Sequence, residues 1–151
     1  MKRRKIVLII TGVVLALITA AALYIYKEYN RIHKDTAELK SDYSISAINL
    51  ISEFEADEQS ANKKYWNQVI QVSGIVKDIE KDDRGFYSVV LGDTSTMSSV
   101  RCSMDSAHNN EAVSVQKGTH AIMKGVCTGF NSDELLGSDV ILVRCIVDSN
   151  K

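Results

Sequence analysis

The sequence predicts an all-β domain with helical additions, set behind a long apolar N-terminal segment. Three observations carry that expectation. Ile6–Tyr26 contains no charged residue. After Asn67 the hydrophobic pattern changes from a helical period to alternation. Between Val69 and Val147 the alternating runs are short and separated by Gly, Asp and Asn clusters that mark turns. With 151 residues the chain has room for one ordinary domain and an added segment, which excludes a large multidomain enzyme. The near-neutral net charge of −1 conceals a division: Lys2, Arg3, Arg4 and Lys5 stand at one end, and the remainder carries a net −5.

The first element is a basic tail, residues 1–5, followed by an apolar run from Ile6 to Tyr26. A helix of that length rises roughly 30 Å, which matches a bilayer core. Tyr24, Tyr26 and Tyr29 stand where interfacial aromatics favour headgroups. Cleavage after Ala20-Ala21-Ala22 is the alternative, but Leu23–Tyr26 continues the run past it. The expectation is a single-pass anchor bounded by Ile6 and Tyr26 in the inner membrane. The contiguous basic cluster places the N-terminus in the cytoplasm and the C-terminal domain outside.

Residues 27–43 read as a juxtamembrane stalk, with Tyr29, Ile32, Thr36 and Leu39 at helical spacing. A second helix is expected from about Ser44 to Ser60, with Ala47, Ile48, Ile51, Phe54 and Glu58 along one face. Strands follow at Val69–Val76, with a bend or bulge at Gly74, then at Tyr87–Leu91 and Ser99–Met104. Asp78–Gly85 is a charged connector, and Glu111–Val115 fits one or two helical turns. The last strands are His120–Thr128 and Val140–Val147, joined by a long loop from Gly129 to Asp139, and residues 148–151 form a tail. Five strands with a helical interruption after the third follow the chain order of the OB-fold, a Greek-key barrel. A small open β-sandwich is the competing arrangement. The OB-fold domain with its leading helix occupies 44–147.

Several segments sharpen this. Ala61-Asn62-Lys63-Lys64-Tyr65 precedes Val69-Ile70-Gln71-Val72-Ser73-Gly74-Ile75-Val76. Val100-Arg101-Cys102, Lys117-Gly118, Gly125-Val126-Cys127-Thr128-Gly129 and Leu142-Val143-Arg144-Cys145 follow. Over roughly residues 45–147 the chain resembles the tRNA-anti-like OB-fold family. The resemblance implies an OB-fold and a bacterial envelope protein with an export or anchor segment, a type often labelled lipoprotein. No cysteine precedes Cys102, so acylation near the anchor has no acceptor. The resemblance implies no catalytic motif.

Cys102, Cys127 and Cys145 share the apolar parity of their strands, which reads as three small core residues. A Cys127–Cys145 disulfide across the last two strands is the sharper alternative. Their spacing holds no metal-binding Cys pair, and His33, His108 and His120 are scattered, so no metal or cofactor is expected. An EF-hand beginning at Asp78 fails because Asp83 and Val89 occupy the Gly and Glu places. There is no P-loop and no G-x-S-x-G motif, and no enzyme activity is expected.

OB barrels commonly bind along their second and third strands and adjoining loops. On parity that face carries Phe86, Ser88, Arg101 and Ser103. The loop after Gly129 adds Phe130, Leu135 and Leu136, which either contact a ligand or close the barrel. Between Val69 and Val147 seven Lys/Arg oppose ten Asp/Glu, which disfavours phosphate-rich ligands. The expected function is a non-catalytic, membrane-anchored binding module for an envelope protein, peptide or glycan. The alternative is a binder of single-stranded nucleic acid.

Overall fold

The computed structural model describes residues 2–32, 35–133 and 135–148. The chain divides into two units, Met1–Asp35 and Thr36–Lys151. The first unit is one helix, α1 (Lys2–Ile32), which takes in the expected anchor, most of the basic tail and the start of the expected stalk. Among the described residues, however, no helix is long and apolar enough to cross a membrane. This overturns the expected single-pass inner-membrane location. The anchoring role of Ile6 and Tyr26 and the orientation built on it fall as well.

The second unit begins earlier than the sequence suggests. A 3-10 turn, Thr36–Glu38, buries Thr36 and belongs to this unit rather than to a stalk. The ammonium of Lys124 donates to the carbonyls of Ala37 and Leu39, each at 3.1 Å. That pairing lets Lys124 lie buried.

Strand β1 (Tyr43–Ser46) then runs parallel to the next strand, pairing Tyr43 with Ile70 and Ser46 with Ser73. Helix α2 (Ala47–Ala56) buries Ala47, Leu50, Ile51 and Phe54, one stripe at helical spacing. The Ser46 side chain caps its first turn by accepting the Asn49 N–H. The helix expected over Ser44–Ser60 is therefore a strand and two helices. Asp57 is extended, which ends α2, and its carboxylate accepts the Ser60 N–H to open α3 (Glu58–Tyr65). Only Ala61 and Tyr65 of α3 are buried, so its other positions are polar.

The five remaining strands are β2 (Val69–Lys81), β3 (Tyr87–Leu91), β4 (Ser99–Met104), β5 (His120–Asp133) and β6 (Gly137–Val147). Their order is β2-β3-β4-β6-β5, and β5 returns to pair with β2, closing the sheet. β4 and β6 are parallel and the other barrel pairs antiparallel. A second 3-10 turn (Asn109–Ser114) lies between β4 and β5. This is the OB-fold order, with β1 as a sixth strand. The core gathers Ile70, Val72, Val89, Leu91, Val100, Met123, Val140 and Leu142 from the strands. Leu50 and Phe54 of α2 and Tyr65 of α3 join them.

Two expected connectors are strand. β2 continues through Asp78 to Lys81, because Glu80 and Lys81 pair with Ser88 and Tyr87. Its irregularity falls between Val76 and Asp78, not at Gly74. At Gly74 a Cβ would meet the Ala47 Cβ at 3.0 Å, so the missing side chain admits α2. The loop expected over Gly129–Asp139 is a hairpin in which Phe130 pairs with Val140 and Asp133 with Gly137. Its outer rungs, Asn131–Asp139 and Ser132–Ser138, are polar on both strands, so alternation gave no signal there.

Candidate binding surface

The outer face of β3 and β4 follows from the alternation of their residues. Val89, Leu91, Val100, Cys102 and Met104 are buried, which turns Ser88, Arg101 and Ser103 outward. Register then places Ser88 opposite Ser103 and Val90 opposite Arg101. The Ser88 hydroxyl donates to the Ser103 hydroxyl at 3.4 Å. Phe86 lies just before β3, exposed, with the Arg84 guanidinium 5.9 Å from its ring centroid. Tyr87 packs against the core, as parity requires.

Arg101 is the only Lys or Arg in β3 and β4. Its guanidinium donates to the Glu80 carboxylate on β2 and lies 3.5 Å from Asp139 of β6. The same Asp139 accepts the Ser99 hydroxyl. Nearby cations are engaged too: Lys117 pairs with Asp78 at 3.3 Å, and Lys81 stands 5.0 Å from the Tyr87 ring centroid. Across the centre of this face every cation has an acidic or aromatic partner.

The seven expected contact residues do not form one site. Phe86, Ser88 and Ser103 lie at one end of the β3–β4 ladder, and Ser99 beside Asp139 lies at the other. Leu135 and Leu136 belong with the second end. They are highly exposed on the β5–β6 turn, where Asp133 accepts both of their backbone N–H groups. Those two N–H groups hold the Asp133 carboxyl below its ordinary value. Phe130 is separate from them. Its ring stacks on Phe54 at 5.1 Å and 20°, so it closes the barrel against α2.

Sequence reasoning missed two further members of that end, Met97 and Ile48. Met97 is exposed on the β3–β4 loop, and its backbone presses on Gly137, one residue beyond Leu136. Ile48 is 58% exposed on α2, although the helical period assigned it to the packed face. Thr96 and Ser98, which flank Met97, line a cavity of about 160 Å³ with Ile48, Ile51 and Glu55. Across the start of the same loop, Ile48 and Asp93 also line a groove of about 330 Å³ with Ile75, Gly74 and His120. Lys77 reaches under the loop and donates to the Thr96 and Ser98 carbonyls. Glu55 accepts the Ser98 hydroxyl. Asp93 accepts the Ser95 N–H and hydroxyl, which depress its carboxyl pKa.

All three cysteines are buried as free thiols. They are the core residues that parity suggested, and the alternative Cys127–Cys145 bridge is not formed: Cys127 pairs with Leu142 across the β5–β6 ladder. Cys145 meets Cys102 instead. Burial pushes the Cys127 thiol up to about 11. Burial, then the hydrogen bond with Cys102, raises Cys145 well above the ordinary range. His108 bonds Glu111 at 2.6 Å through Nδ1, while His120 opens β5, and His33 lies outside the described residues. Among the described residues no group of His, Cys, Asp and Glu is placed to hold a metal ion.

The geometry agrees with what comparison shows. Among solved structures, the chain is similar to a lipoprotein from Klebsiella pneumoniae named for a proposed nucleic acid-binding role. That likeness has a TM-score of 0.53 and 18% identity, covering 68% of this chain and 89% of the other. At such identity it shows the fold alone. No curated protein matches. The tRNA_anti-like family model, by contrast, matches residues 1–147, a span that takes in both α1 and every strand of the barrel. The chain belongs to the tRNA_anti-like family.

Proposed function

We propose that this chain is a non-catalytic binding module of the OB-fold type whose partner is a protein or peptide segment. The state of Arg101 carries the reading. Single-stranded nucleic acid is held by cations that neutralise phosphates, assisted by aromatic platforms. On the face where such a ligand would lie, the one basic residue of β3 and β4 is already neutralised by Glu80 and Asp139. A phosphate would have to displace two carboxylates fixed on neighbouring strands. By contrast, exposed Met97 on the β3–β4 loop, Leu135 and Leu136 on the β5–β6 turn, and Ile48 of α2 beside that loop offer the apolar surface that a protein contact uses.

Nucleic acid is the second reading, favoured by the fold and by the name of the Klebsiella pneumoniae relative. Titration of the full chain against fluorescent single-stranded DNA and RNA at low salt separates the two. No saturable binding is expected. Saturable binding that weakens steeply with salt would favour nucleic acid and displace the protein reading.

A further inference from the structure

We infer that the paired grooves beside Ile48 take an extended peptide segment in which aliphatic side chains alternate with Lys or Arg. This rests on the protein-binding reading and adds to it a place and a ligand chemistry. The two cavities, about 330 and 160 Å³, share Ile48 and Asp93 and so adjoin at the start of the β3–β4 loop. Their floor is aliphatic: Ile48 and Ile75 are both exposed there, and Ile51 backs the smaller cavity. Leaving a β-branched side chain such as Ile48 58% in water forgoes burial that the same helix obtains at Ile51. A partner's aliphatic group would recover it.

Charge selects the rest of the segment. Glu55 and Asp93 stand on the rim, and the Ser95 contacts lower the Asp93 carboxyl pKa. Farther along, Asp133 fixes the turn bearing Leu135 and Leu136. The neighbouring cation, Lys77, donates to two loop carbonyls and offsets part of the Asp93 charge, so two carboxylates against one cation leave the rim net negative. An aliphatic floor below an anionic rim is complementary to an extended chain, whose successive side chains point to opposite sides. Leu or Val then faces the floor, while Lys or Arg reaches the carboxylates. A phosphate-bearing or acidic segment meets the wrong sign.

The test measures binding of three labelled peptides to the full chain by fluorescence anisotropy: Lys-Leu-Lys-Leu-Lys, Glu-Leu-Glu-Leu-Glu and Lys-Ser-Lys-Ser-Lys. Only the first is expected to bind saturably. Ile48→Ser, and separately Glu55→Gln, are expected to weaken it by about tenfold or more. Both residues are at the surface, and circular dichroism confirms that the variants fold. Val113→Ser removes an even more exposed aliphatic from the second 3-10 turn and is expected to leave affinity unchanged. Equal binding of Lys-Ser-Lys-Ser-Lys would reduce the effect to charge and overturn the inference. Preference for Glu-Leu-Glu-Leu-Glu, or loss at Val113→Ser without loss at Ile48→Ser, would overturn it while leaving a protein-binding module intact. Binding of an oligonucleotide and none of the peptides would remove both.

Discussion

Gly118 and Gly137 share a backbone φ of +84°, but their surroundings differ. A Cβ at Gly118 meets nothing within 4 Å, whereas one at Gly137 falls 2.6 Å from the Met97 carbonyl carbon and 2.7 Å from the Ser98 nitrogen. The pair therefore separates left-handed strain from steric clash. Gly118→Ala is expected to cost about 1 kcal/mol, from backbone strain alone. Gly137→Ala should cost about 2–4 kcal/mol, because the β3–β4 loop has to move as well. Urea unfolding measures both, and equal losses would mean that Met97 does not press on the hairpin. The same residues show what a sequence conveys at this scale. Lys117-Gly118 is legible as a turn because its conformation is a local requirement. Gly137 answers to Met97, forty residues earlier, and no local pattern encodes that. Phe130, Leu135 and Leu136 look alike in sequence, yet only Phe130 finds a core ring to stack on.

Element boundaries here are set by single polar side chains. Ser46 ends β1 and caps α2, and Asp57 ends α2 and caps α3. The apolar stripe of α2 was readable from its period, but those caps were masked by several Ser and Asp residues that could serve equally. Ser46→Ala removes the acceptor for the Asn49 N–H and is expected to lower stability by about 1 kcal/mol in urea unfolding. An unchanged midpoint would place the helix start elsewhere. Turns depend on carboxylates in the same way. Asp82 accepts the N–H groups of Phe86 and Arg84, Asp93 that of Ser95, and Asp133 those of Leu136 and Leu135. Each carboxyl is consequently depressed in the folded chain below its ordinary value of 3.8. The sign follows by linkage. The unfolded chain takes up these protons first, so the stabilisation is complete above about pH 4 and fades as pH falls through the depressed folded values. The urea midpoint of the wild type should therefore decline between pH 4 and pH 2 more steeply than that of the triple Asn variant at 82, 93 and 133. Parallel declines would assign acid sensitivity to other carboxylates.

For the whole molecule, closure of the barrel was the most legible feature, because strand count, a helical interruption and alternating burial all point to one topology. The N-terminal helix was legible only as a helix. Freedom from charge over Ile6–Tyr26 suggested a bilayer span that α1 does not supply among the described residues. The acidic balance was informative in a way its sum did not reveal. On the β3–β4 face the acidic charge is placed rather than spread: Glu80 and Asp139 both meet Arg101, a detail that the net of −5 does not convey. The cysteines report on the barrel as one body. Cys102 lies on β4, Cys127 on β5 and Cys145 on β6, all with no exposed surface, and each faces a core built from every strand. Thiolate is the reactive form, and burial raises the thiols of Cys127 and Cys145. A thiol reagent at pH 8 should therefore label none of the three in the folded chain and all three in urea. Near the unfolding midpoint they should react together, at a rate set by opening of the closed sheet rather than by each thiol's own position. Labelling of Cys127 and Cys145 ahead of Cys102 would mean that the β5–β6 hairpin detaches from the barrel as a unit of its own.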